Sequence, residues 1–169
     1  MKMKAHNIMK KQVIKVKEQD NMQSVIERFL HYGISGVPVV NDRNEIVGYV
    51  SVENVIRHIG KSNDLIFGTP FFMNHYQIEE GTFVERAQKI RKMNVMEHAQ
   101  TKVFKVAWDE DIEIITAIFT KRKAEKLLVE RVGVLVGIIS RNDVIINSFK
   151  TLTELQWNGG AMAKVSCFE

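Results

Sequence analysis

The sequence has little of what disulfide-stabilised domains and membrane proteins need. Cys167 is the single cysteine, which excludes an intramolecular disulfide and a cysteine-rich metal site. The longest apolar runs, such as residues 132–139, are far shorter than the ~20 residues of a membrane-spanning helix. The lysine-rich start lacks the apolar segment and the small-residue cleavage site of a secretory signal. We therefore expect a cytoplasmic protein without membrane contact.

Catalytic signatures are also missing. The histidines are His6, His31, His58, His75 and His98. No two of them have the spacing at which a helix presents paired metal ligands. Neither the Gly-x-x-x-x-Gly-Lys phosphate loop nor the Gly-x-Gly-x-x-Gly fingerprint occurs. We expect no catalytic residue, no metal site, no required cofactor and no attached enzyme or transporter domain.

The composition is that of an ordinary globular protein. Of 169 residues, 45% are hydrophobic and 26% charged, which suits one well-cored domain or two small domains packed together. The net charge is +4, and six lysines precede the first acidic residue, Glu18: Lys2, Lys4, Lys10, Lys11, Lys15 and Lys17. Such a segment either attracts phosphate-bearing partners or is simply a solvated surface.

An internal repeat organises the chain. The stretch GIISRNDVI at residues 137–145 matches GYVSVENVI, which lies 89 positions earlier. The stretch VFKV at residues 103–106 matches VIKV, which lies 90 positions earlier. Because the matching stretches follow each other in the same order, the sequence indicates the duplication of one structural unit.

Hydrophobic periodicity predicts the order strand, helix, strand, strand, helix in the first copy. A strand at residues 13–16 leads to a helix that Asp20 and Gln23 would start as a capping box and Gly33 would end. Strands follow at 36–40 and 46–50, and Ser51 would open the second helix. The apolar stripes are Met22, Val25, Ile26, Phe29 and Leu30 in the first helix and Val52, Val55, Ile56 and Ile59 in the second.

The second copy repeats this order after a connecting segment. Its helical stripe is Ile112, Ile115 and Phe119, its paired strands are residues 127–129 and 134–139, and Ser140 would open its last helix. In the connection, Thr82 and Glu85 form a capping box, and Phe83, Ala87 and Ile90 predict one linker helix. The expected division is 1–59, 60–94, 95–156 and 157–169, with residues 158–169 as a loose or partner-docked extension.

The order of elements resembles the paired cystathionine-β-synthase (CBS) domain, the regulatory Bateman module. The stretches that carry the resemblance are IMKKQVIKV, YGISGVPVV, EIVGYVSVENV, TKVFKV, KLLVE and VLVGIISRNDV. The resemblance implies an α/β fold of two β-α-β-β-α units related by pseudo-twofold symmetry. It also implies clefts that often bind adenosine compounds, and frequent association into a disc-like dimer.

Ser140 and Asp143 allow two interpretations. Ser-x-x-Asp at a strand-to-helix junction is close to a capping box, which needs no ligand. The resemblance instead makes them ribose contacts, since a carboxylate in the first helical turn can accept both hydroxyl hydrogens of a cis-diol. Ser51 and Asn54 hold the matching positions in the first copy, where an amide accepts less strongly.

The remaining site residues follow from the resemblance, position by position. The first cleft would be lined by Gln12, Val13, Ile14, Gly36, Val37 and Pro38, beside Ser51 and Asn54. The second would be lined by Lys102, Val103, Phe104, Lys126, Leu127 and Leu128, beside Ser140 and Asp143. The candidate phosphate partners are Lys102, Lys126 and Arg141. The apolar members could equally be ordinary core residues.

These observations predict a non-enzymatic regulatory sensor. Its ligand would be AMP, ADP, ATP, a cyclic dinucleotide or S-adenosylmethionine, and it would signal to an unknown protein partner. The alternative is a ligand-free interaction or scaffold module whose basic N-terminal segment contacts nucleic acid. Ile114 and Ile118, beside the main stripe of their helix, favour a homodimer.

The two clefts should differ in affinity. We expect the Asp143 cleft to bind ribose more tightly than the Asn54 cleft, because hydrogen bonds to a charged acceptor are stronger. The opposing effect is that Lys126 crowds the second cleft, while Gly36 leaves the first more open. For the aromatic stretch at residues 71–76 we prefer packing against the module, and the alternative is a partner or ligand contact.

Overall fold

A computed structural model describes residues 3–60, 81–122 and 124–157, with the backbone alone for residues 151–157. Helix α1 (Ala5–Ile8) precedes the first repeat, which consists of β1 (Val16–Lys17), α2 (Met22–Tyr32), β2 (Gly36–Val40), β3 (Ile46–Ser51) and α3 (Val52–Ile59). Helix α4 (Phe83–Lys92) and a 3₁₀ turn (Val95–Glu97) lead to the second repeat, which consists of β4 (Lys105–Ala107), α5 (Ile112–Arg122), β5 (Lys126–Arg131), β6 (Val134–Ser140) and α6 (Arg141–Trp157). The prediction of an α/β fold with two β-α-β-β-α units is confirmed.

Each repeat forms a three-stranded sheet, in the orders β1-β2-β3 and β4-β5-β6. The first two strands of each sheet are parallel, and β2 and β3 are antiparallel. In the first sheet Gly36 lies opposite Ser51, and Pro38 lies opposite Tyr49. Because opposite residues share a face of the sheet, these four side-chain positions lie on one face.

Each sheet buries its other face in a hydrophobic core. The first core is formed by Val16, Met22, Val25, Val37, Val39, Val50, Ile90 and Val95. The second is formed by Ala5, Ile8, Val106, Ile115, Phe119, Ala124, Leu127, Val129, Ile139 and Val144. Helix α4 therefore completes the first core, and helix α1 completes the second.

The chain accordingly divides into two compact units that do not follow the linear order of the repeats. The first-repeat unit contains residues 13–60, 81–103 and 132–135. The second-repeat unit contains residues 3–12, 104–122, 124–131 and 136–157. Backbone hydrogen bonds join the N-terminal segment to the second repeat, for example from Ala5 N–H to the Glu110 carbonyl at 2.8 Å. The predicted boundaries along the chain stay a prediction. Each compact unit combines segments that are separated in the sequence.

Most predicted helix ends are confirmed. Gly33 ends α2 in the left-handed region with φ of 59°, and Ser51 and Thr82 cap α3 and α4. The predicted start of α2 is wrong by one residue. Asn21 caps that helix, because the Asp20 carboxylate instead accepts from the Lys17 N–H at 2.9 Å and closes the turn after β1.

The predicted stripe of α2 is too wide. Met22 and Val25 are fully buried, whereas Leu30 is 81% exposed. Leu30 lies at the edge of the stripe, near the end of the helix, where Tyr32 is also exposed. In the last helical turn, periodicity alone overestimates burial because the core no longer covers that edge.

Three features that the sequence analysis singled out cannot be compared with the structure. The stretch at residues 71–76, the extension at residues 158–169 and Cys167 lie outside the described residues. No helix within the described ranges is both long enough and apolar enough to cross a membrane. Of the two residues expected at a dimer contact, Ile114 is half-exposed, and Ile118 packs against the second core.

Candidate functional site

Ser140 and Asp143 form a closed hydrogen-bonded pair where β6 ends and α6 begins. Asp143 Oδ2 accepts from the Ser140 N–H at 2.8 Å and from the Ser140 hydroxyl at 2.6 Å. The Asp143 N–H donates to Ser140 Oγ at 3.3 Å. These are the contacts of a capping box, which satisfies N–H groups that the first helical turn leaves unpaired. The capping interpretation therefore accounts for Oδ2.

The second carboxylate oxygen of Asp143 takes no part in capping. Asp143 is only 6% exposed, and its Oδ1 lies 3.4 Å from the ammonium nitrogen of Lys10. An ionised carboxylate offers about four lone-pair positions, and the two capping bonds occupy only one oxygen. Capping and ligand binding are therefore compatible at Asp143.

Lys10 reaches this position because the N-terminal segment pairs with β6. The Lys10 N–H donates to the Ile138 carbonyl at 2.9 Å, and the Ile138 N–H donates to the Lys10 carbonyl at 3.0 Å. Gly137 permits the close approach, since a Cβ at this position would lie 2.9 Å from Cγ of Met9. The backbone thus fixes where the Lys10 side chain starts.

Lys10 was not among the predicted site residues. The available signal was the repeat itself, because the 90-position offset aligns Lys10 with Gln100. Gln100 exchanges two backbone hydrogen bonds with Tyr49 of β3, at 3.0 and 2.9 Å, as Lys10 does with β6. The sequence does not say which strand each segment joins, and that choice brings Lys10 to Asp143.

Lys126 adds a second ammonium group near Asp143. Partial burial lowers the pKa of Lys126 below its usual value, and the nearby Lys10 cation acts in the same direction. Glu125 and Asp143 oppose this shift, since both favour the charged ammonium. Lys10 and Lys126 thus place two ammonium groups beside Asp143, with Glu125 as an opposing charge, and ammonium groups suit a phosphate.

Arg141 contributes a third cation from the first turn of α6. Its Nε donates to the Ala124 carbonyl at 3.1 Å, and the side chain is otherwise exposed. This hydrogen bond holds the guanidinium against the segment that precedes β5, the strand that Lys126 begins. A planar guanidinium can bind phosphate oxygens in pairs.

The two leucines predicted for the second cleft lie on opposite faces of β5. Leu127 belongs to the core. Leu128 is also buried but lies outside that core, as the alternation of a strand requires, on the same face as Lys126. Phe104, whose carbonyl accepts from the Leu128 N–H at 3.0 Å, is 42% exposed. Leu128 and Phe104 are therefore the apolar candidates, and the Leu127 side chain faces away.

Ser51 and Asn54 repeat the capping geometry in the first-repeat unit. Asn54 Oδ1 accepts from the Ser51 N–H at 2.9 Å and from the Ser51 hydroxyl at 2.7 Å, and the Asn54 N–H donates to Ser51 Oγ at 3.3 Å. A carboxamide has one oxygen, and capping uses both of its lone pairs. Only the NH₂ group, a donor, is left for a ligand. Asn54 therefore cannot accept from a ribose hydroxyl while it caps α3.

Tyr49 covers the sheet face beside Ser51. A Cβ at Gly36 would lie 2.6 Å from Cζ of Tyr49, so the aromatic ring fills the space that the glycine leaves. The expectation that Gly36 opens the first cleft is therefore wrong, because a side chain of the neighbouring strand occupies the opening. Lys126 holds the position that matches Gly36 in the repeat.

The other predicted residues are distributed over both units. Val13 and Ile14 are half-buried and line an open depression of about 480 Å³ beside Arg28 and Tyr32 of α2. Pro38 is buried on the Tyr49 face of β2, whereas the Val37 side chain belongs to the first core.

Three predicted residues fall in the unit opposite to the one expected from the repeat. Gln12 is exposed and belongs to the second-repeat unit, whereas Lys102 and Val103 belong to the first-repeat unit. The second-repeat unit gathers Phe104, Lys126, Leu128, Ser140, Arg141 and Asp143, together with Lys10. Among the described residues, no group of three or more His, Cys, Asp or Glu side chains is arranged to hold a metal ion.

Comparisons with known proteins agree with this architecture. The CBS domain family model matches residues 5–61. The uncharacterized protein MJ1426 of Methanocaldococcus jannaschii is 30% identical over 149 residues, which cover 82% of this chain and 87% of that protein.

Solved structures show the same fold at lower identity. AcuB from Vibrio cholerae has a TM-score of 0.70 and 19% identity and covers 95% of this chain and 100% of that one. CBSX2, solved in complex with AMP, has a TM-score of 0.67 and 18% identity and covers 88% of this chain and 98% of that one. Given this shared fold, the matched family model and a relative similar over most of both lengths, the chain belongs to the CBS-domain family.

Proposed function

We propose that this protein is a non-enzymatic regulatory sensor that binds AMP or a related adenosine compound beside Ser140 and Asp143. The observation that carries the proposal is the buried Asp143 carboxylate, which keeps one oxygen free of capping and has Lys10 and Lys126 nearby. A free carboxylate oxygen suits a ribose diol, and adjacent ammonium groups suit a phosphate. That the related structure of CBSX2 contains AMP supports the choice of ligand.

Each part of the ligand has a candidate partner in the second-repeat unit. The ribose hydroxyls would donate to Asp143 Oδ1, and the Lys10 side chain, which is 68% exposed, would turn from Asp143 toward the phosphate. Lys126 and Arg141 add positive charge, and the exposed ring of Phe104 offers a surface for the purine. Lys102 and Val103, predicted from the repeat, are left out of this set because they belong to the other unit.

The signal would be a shift in population. A ligand that contacts Lys10, Lys126 and Asp143 links the N-terminal segment to β5 and α6. It therefore favours the arrangement in which all three side chains can contact the ligand at once. A downstream protein partner would read this arrangement.

The same unit offers a surface for a homodimer. Large apolar side chains are exposed on the neighbouring helices α5 and α6: Ile114, Ile145, Ile146 and Phe149. Contiguous exposed apolar side chains are typical of protein interfaces. Sedimentation at micromolar concentration should show a dimer that Phe149→Lys converts to monomer. A wild-type protein that stays monomeric with and without ligand contradicts this part of the proposal.

The test of the ligand is a thermal-shift and calorimetric comparison of AMP, ADP, ATP, cyclic di-AMP and S-adenosylmethionine. A ligand that binds only the folded state stabilises it by about 2.7 kcal/mol at a hundred times its Kd. At least one compound should give saturable stabilisation that is weakly dependent on salt. If none binds, and if oligonucleotides bind with a steep salt dependence instead, the scaffold alternative replaces the sensor.

A further inference from the structure

A small cavity lies in the first-repeat unit, away from the residues assigned to the nucleotide. It has a volume of about 170 Å³ and is lined by side chains of α3 and α4 and by His98, which follows the 3₁₀ turn. The volume accommodates several water molecules or one small polyatomic ion. Pockets for drug-sized ligands start at about 300 Å³, so a nucleotide does not suit this cavity.

Arg86 presents an unusual buried charge at the cavity. It is 9% exposed, and its guanidinium donates from Nε to the Ile59 carbonyl at 3.0 Å and from Nη1 to the Gly81 carbonyl at 2.5 Å. Within residues 3–60, 81–122 and 124–157, no carboxylate forms an ion pair with Arg86, and its Nη2 has no hydrogen-bond partner. Arginine is almost never buried without a charged partner. The Nη2 group of this guanidinium can still donate to an anion.

His98 presents a second buried polar group with unused capacity. Its Nε2 lies 3.3 Å from Sδ of Met93, and its buried Nδ1 has no hydrogen-bond partner in the part of the chain that the structure describes. The ring of His58 meets it edge to face, with centroids 4.1 Å apart. An unpaired buried polar atom costs about 1–3 kcal/mol, which a ligand that pairs with it would recover.

The fixed charges of the cavity favour an anion as well. Arg86 and Lys89 are cationic, and Glu85 is the acidic residue in the lining. The Glu85 carboxylate accepts from the Thr82 N–H at 2.7 Å, and this backbone bond holds its pKa below the usual value. With both histidines neutral the lining carries one net positive charge, and each histidine that is protonated adds one more.

We propose that this cavity binds a small tetrahedral oxyanion of the phosphate or sulfate class, with Arg86, Lys89 and His98 as its partners. The guanidinium fork of Arg86 supplies paired donors, Lys89 supplies an ammonium group from the next helical turn, and His98 supplies an N–H when it is protonated. The anion would join α3, α4 and the 3₁₀ turn, and this site is independent of the proposed nucleotide.

Binding is linked to proton uptake at His98. Burial lowers the pKa of His98, and the neighbouring His58 acts in the same direction, whereas Glu97 opposes the shift. The other charged groups of the lining are Arg86, Lys89 and Glu85. An anion in the cavity raises the pKa of His98 in the complex, so affinity should increase as pH falls from about 7.5 to 6.

Sulfate is the appropriate probe because it stays a dianion over this pH range, whereas phosphate titrates within it. The 169-residue protein would be titrated with sulfate by calorimetry and by NMR of the histidine rings. We expect saturable binding that shifts the resonances of His58 and His98 and leaves those of His6 and His31 unchanged, with affinity that increases on acidification. A uniform shift of all histidines, or no saturation, overturns the proposal.

Two lysines of α4 supply a matched pair of variants. Lys89 lines the cavity, whereas Lys92 is exposed on the same helix and does not. Lys89→Gln should weaken sulfate binding about two- to fivefold, as expected for an exposed charge, and Lys92→Gln less than twofold. Equal effects would indicate general attraction to a basic helix and overturn the site.

His98→Gln and Arg86→Gln complete the test. His98→Gln should reduce the pH dependence of sulfate affinity, because His58 is then the one histidine left among the described residues of the lining. Arg86→Gln should weaken sulfate binding about tenfold or more, since hydrogen bonds to charged groups are the strong ones. If Arg86→Gln does not fold, the Lys89 and His98 variants still decide. A pH dependence that is as steep in His98→Gln as in wild type contradicts the assigned role of His98.

Discussion

Two helix starts in this chain make the same capping hydrogen bonds but differ in the acceptor atoms that remain for a ligand. Ser140 with Asp143 and Ser51 with Asn54 make the same three hydrogen bonds, with matching lengths within 0.1 Å of each other. In the amide, capping uses the one oxygen, whereas in the carboxylate it leaves the second oxygen for a ligand. The difference teaches that a capping box and a ribose site are alternatives for asparagine but not for aspartate.

The surroundings of the two helix starts differ in the same direction. In the first-repeat unit Tyr49 fills the face beside Ser51, and Gln100 is the neutral residue at the position that matches Lys10. In the second-repeat unit Lys126 and Lys10 lie near Asp143. Both copies have the same fold, and the groups on which the nucleotide proposal rests lie in the second-repeat unit.

The substitution with the largest expected effect tests which face of β5 contacts the ligand. Leu127→Ala should lower the free energy of unfolding by about 2–5 kcal/mol, because it removes a fully buried core side chain. Urea denaturation measures this change, and the AMP affinity of the folded variant should stay within about threefold of wild type. A variant that is as stable as wild type but has strongly reduced AMP affinity would show that Leu127 contacts the ligand.

Gly36→Ala tests whether Tyr49 closes the first cleft. The new methyl group would collide with the Tyr49 ring, so we expect a loss of about 1–3 kcal/mol in unfolding free energy. In a double-mutant cycle, Tyr49→Ala should remove most of this cost because the collision disappears. Independent, additive effects of the two substitutions would show that the ring does not cover Gly36.

Lys10→Gln tests the contribution of the N-terminal segment to the Asp143 site. We expect AMP affinity to fall about three- to tenfold, since one cation near the phosphate is lost. Lys11→Gln is the matched control, because Lys11 is the adjacent exposed lysine. Calorimetry at two salt concentrations separates a local contact from general attraction, and equal losses in both variants would remove Lys10 from the site.

The smallest effect concerns acid sensitivity in the first-repeat unit. His98 lies where the repeat places Ile8 in the second-repeat unit. Because burial lowers the pKa of His98, the unfolded chain takes up a proton near pH 6.5 before the folded chain does. Stability should therefore fall as pH drops below about 6.5, level off below the folded pKa, and lose this component in His98→Gln. The comparison requires urea titrations in buffers free of sulfate and phosphate, and an unchanged pH profile in the variant would contradict it.

Local signals made much of the fold predictable. The spacing of Met22 and Val25, the glycine at position 33 and the serine at position 51 each act through neighbours along the chain, so pattern and chemistry sufficed. The start of α2 was misplaced because Asp20 and Asn21 are both good caps, and the turn after β1 decided between them.

The candidate site was predictable only in part, because some of it depends on tertiary pairing. Ser140 and Asp143 are adjacent through a helical turn and could be found from spacing. Lys10 reaches Asp143 because the N-terminal segment pairs with β6 of the second repeat, and Tyr49 reaches Gly36 across a strand pair. Neither contact has a signal within a few residues of sequence.

The most direct test of the central claim is calorimetry with AMP on wild type, Asp143→Asn and Asn54→Asp. Asp143→Asn keeps an oxygen to cap α6 but removes the free acceptor and the charge, so affinity should fall about tenfold or more with a change in stability of about 1 kcal/mol or less. Asn54→Asp should change affinity less than about threefold, because Tyr49 still covers the first cleft. AMP binding that is unchanged in Asp143→Asn, or that is altered chiefly by Asn54→Asp, would contradict the assignment of the ligand to Asp143.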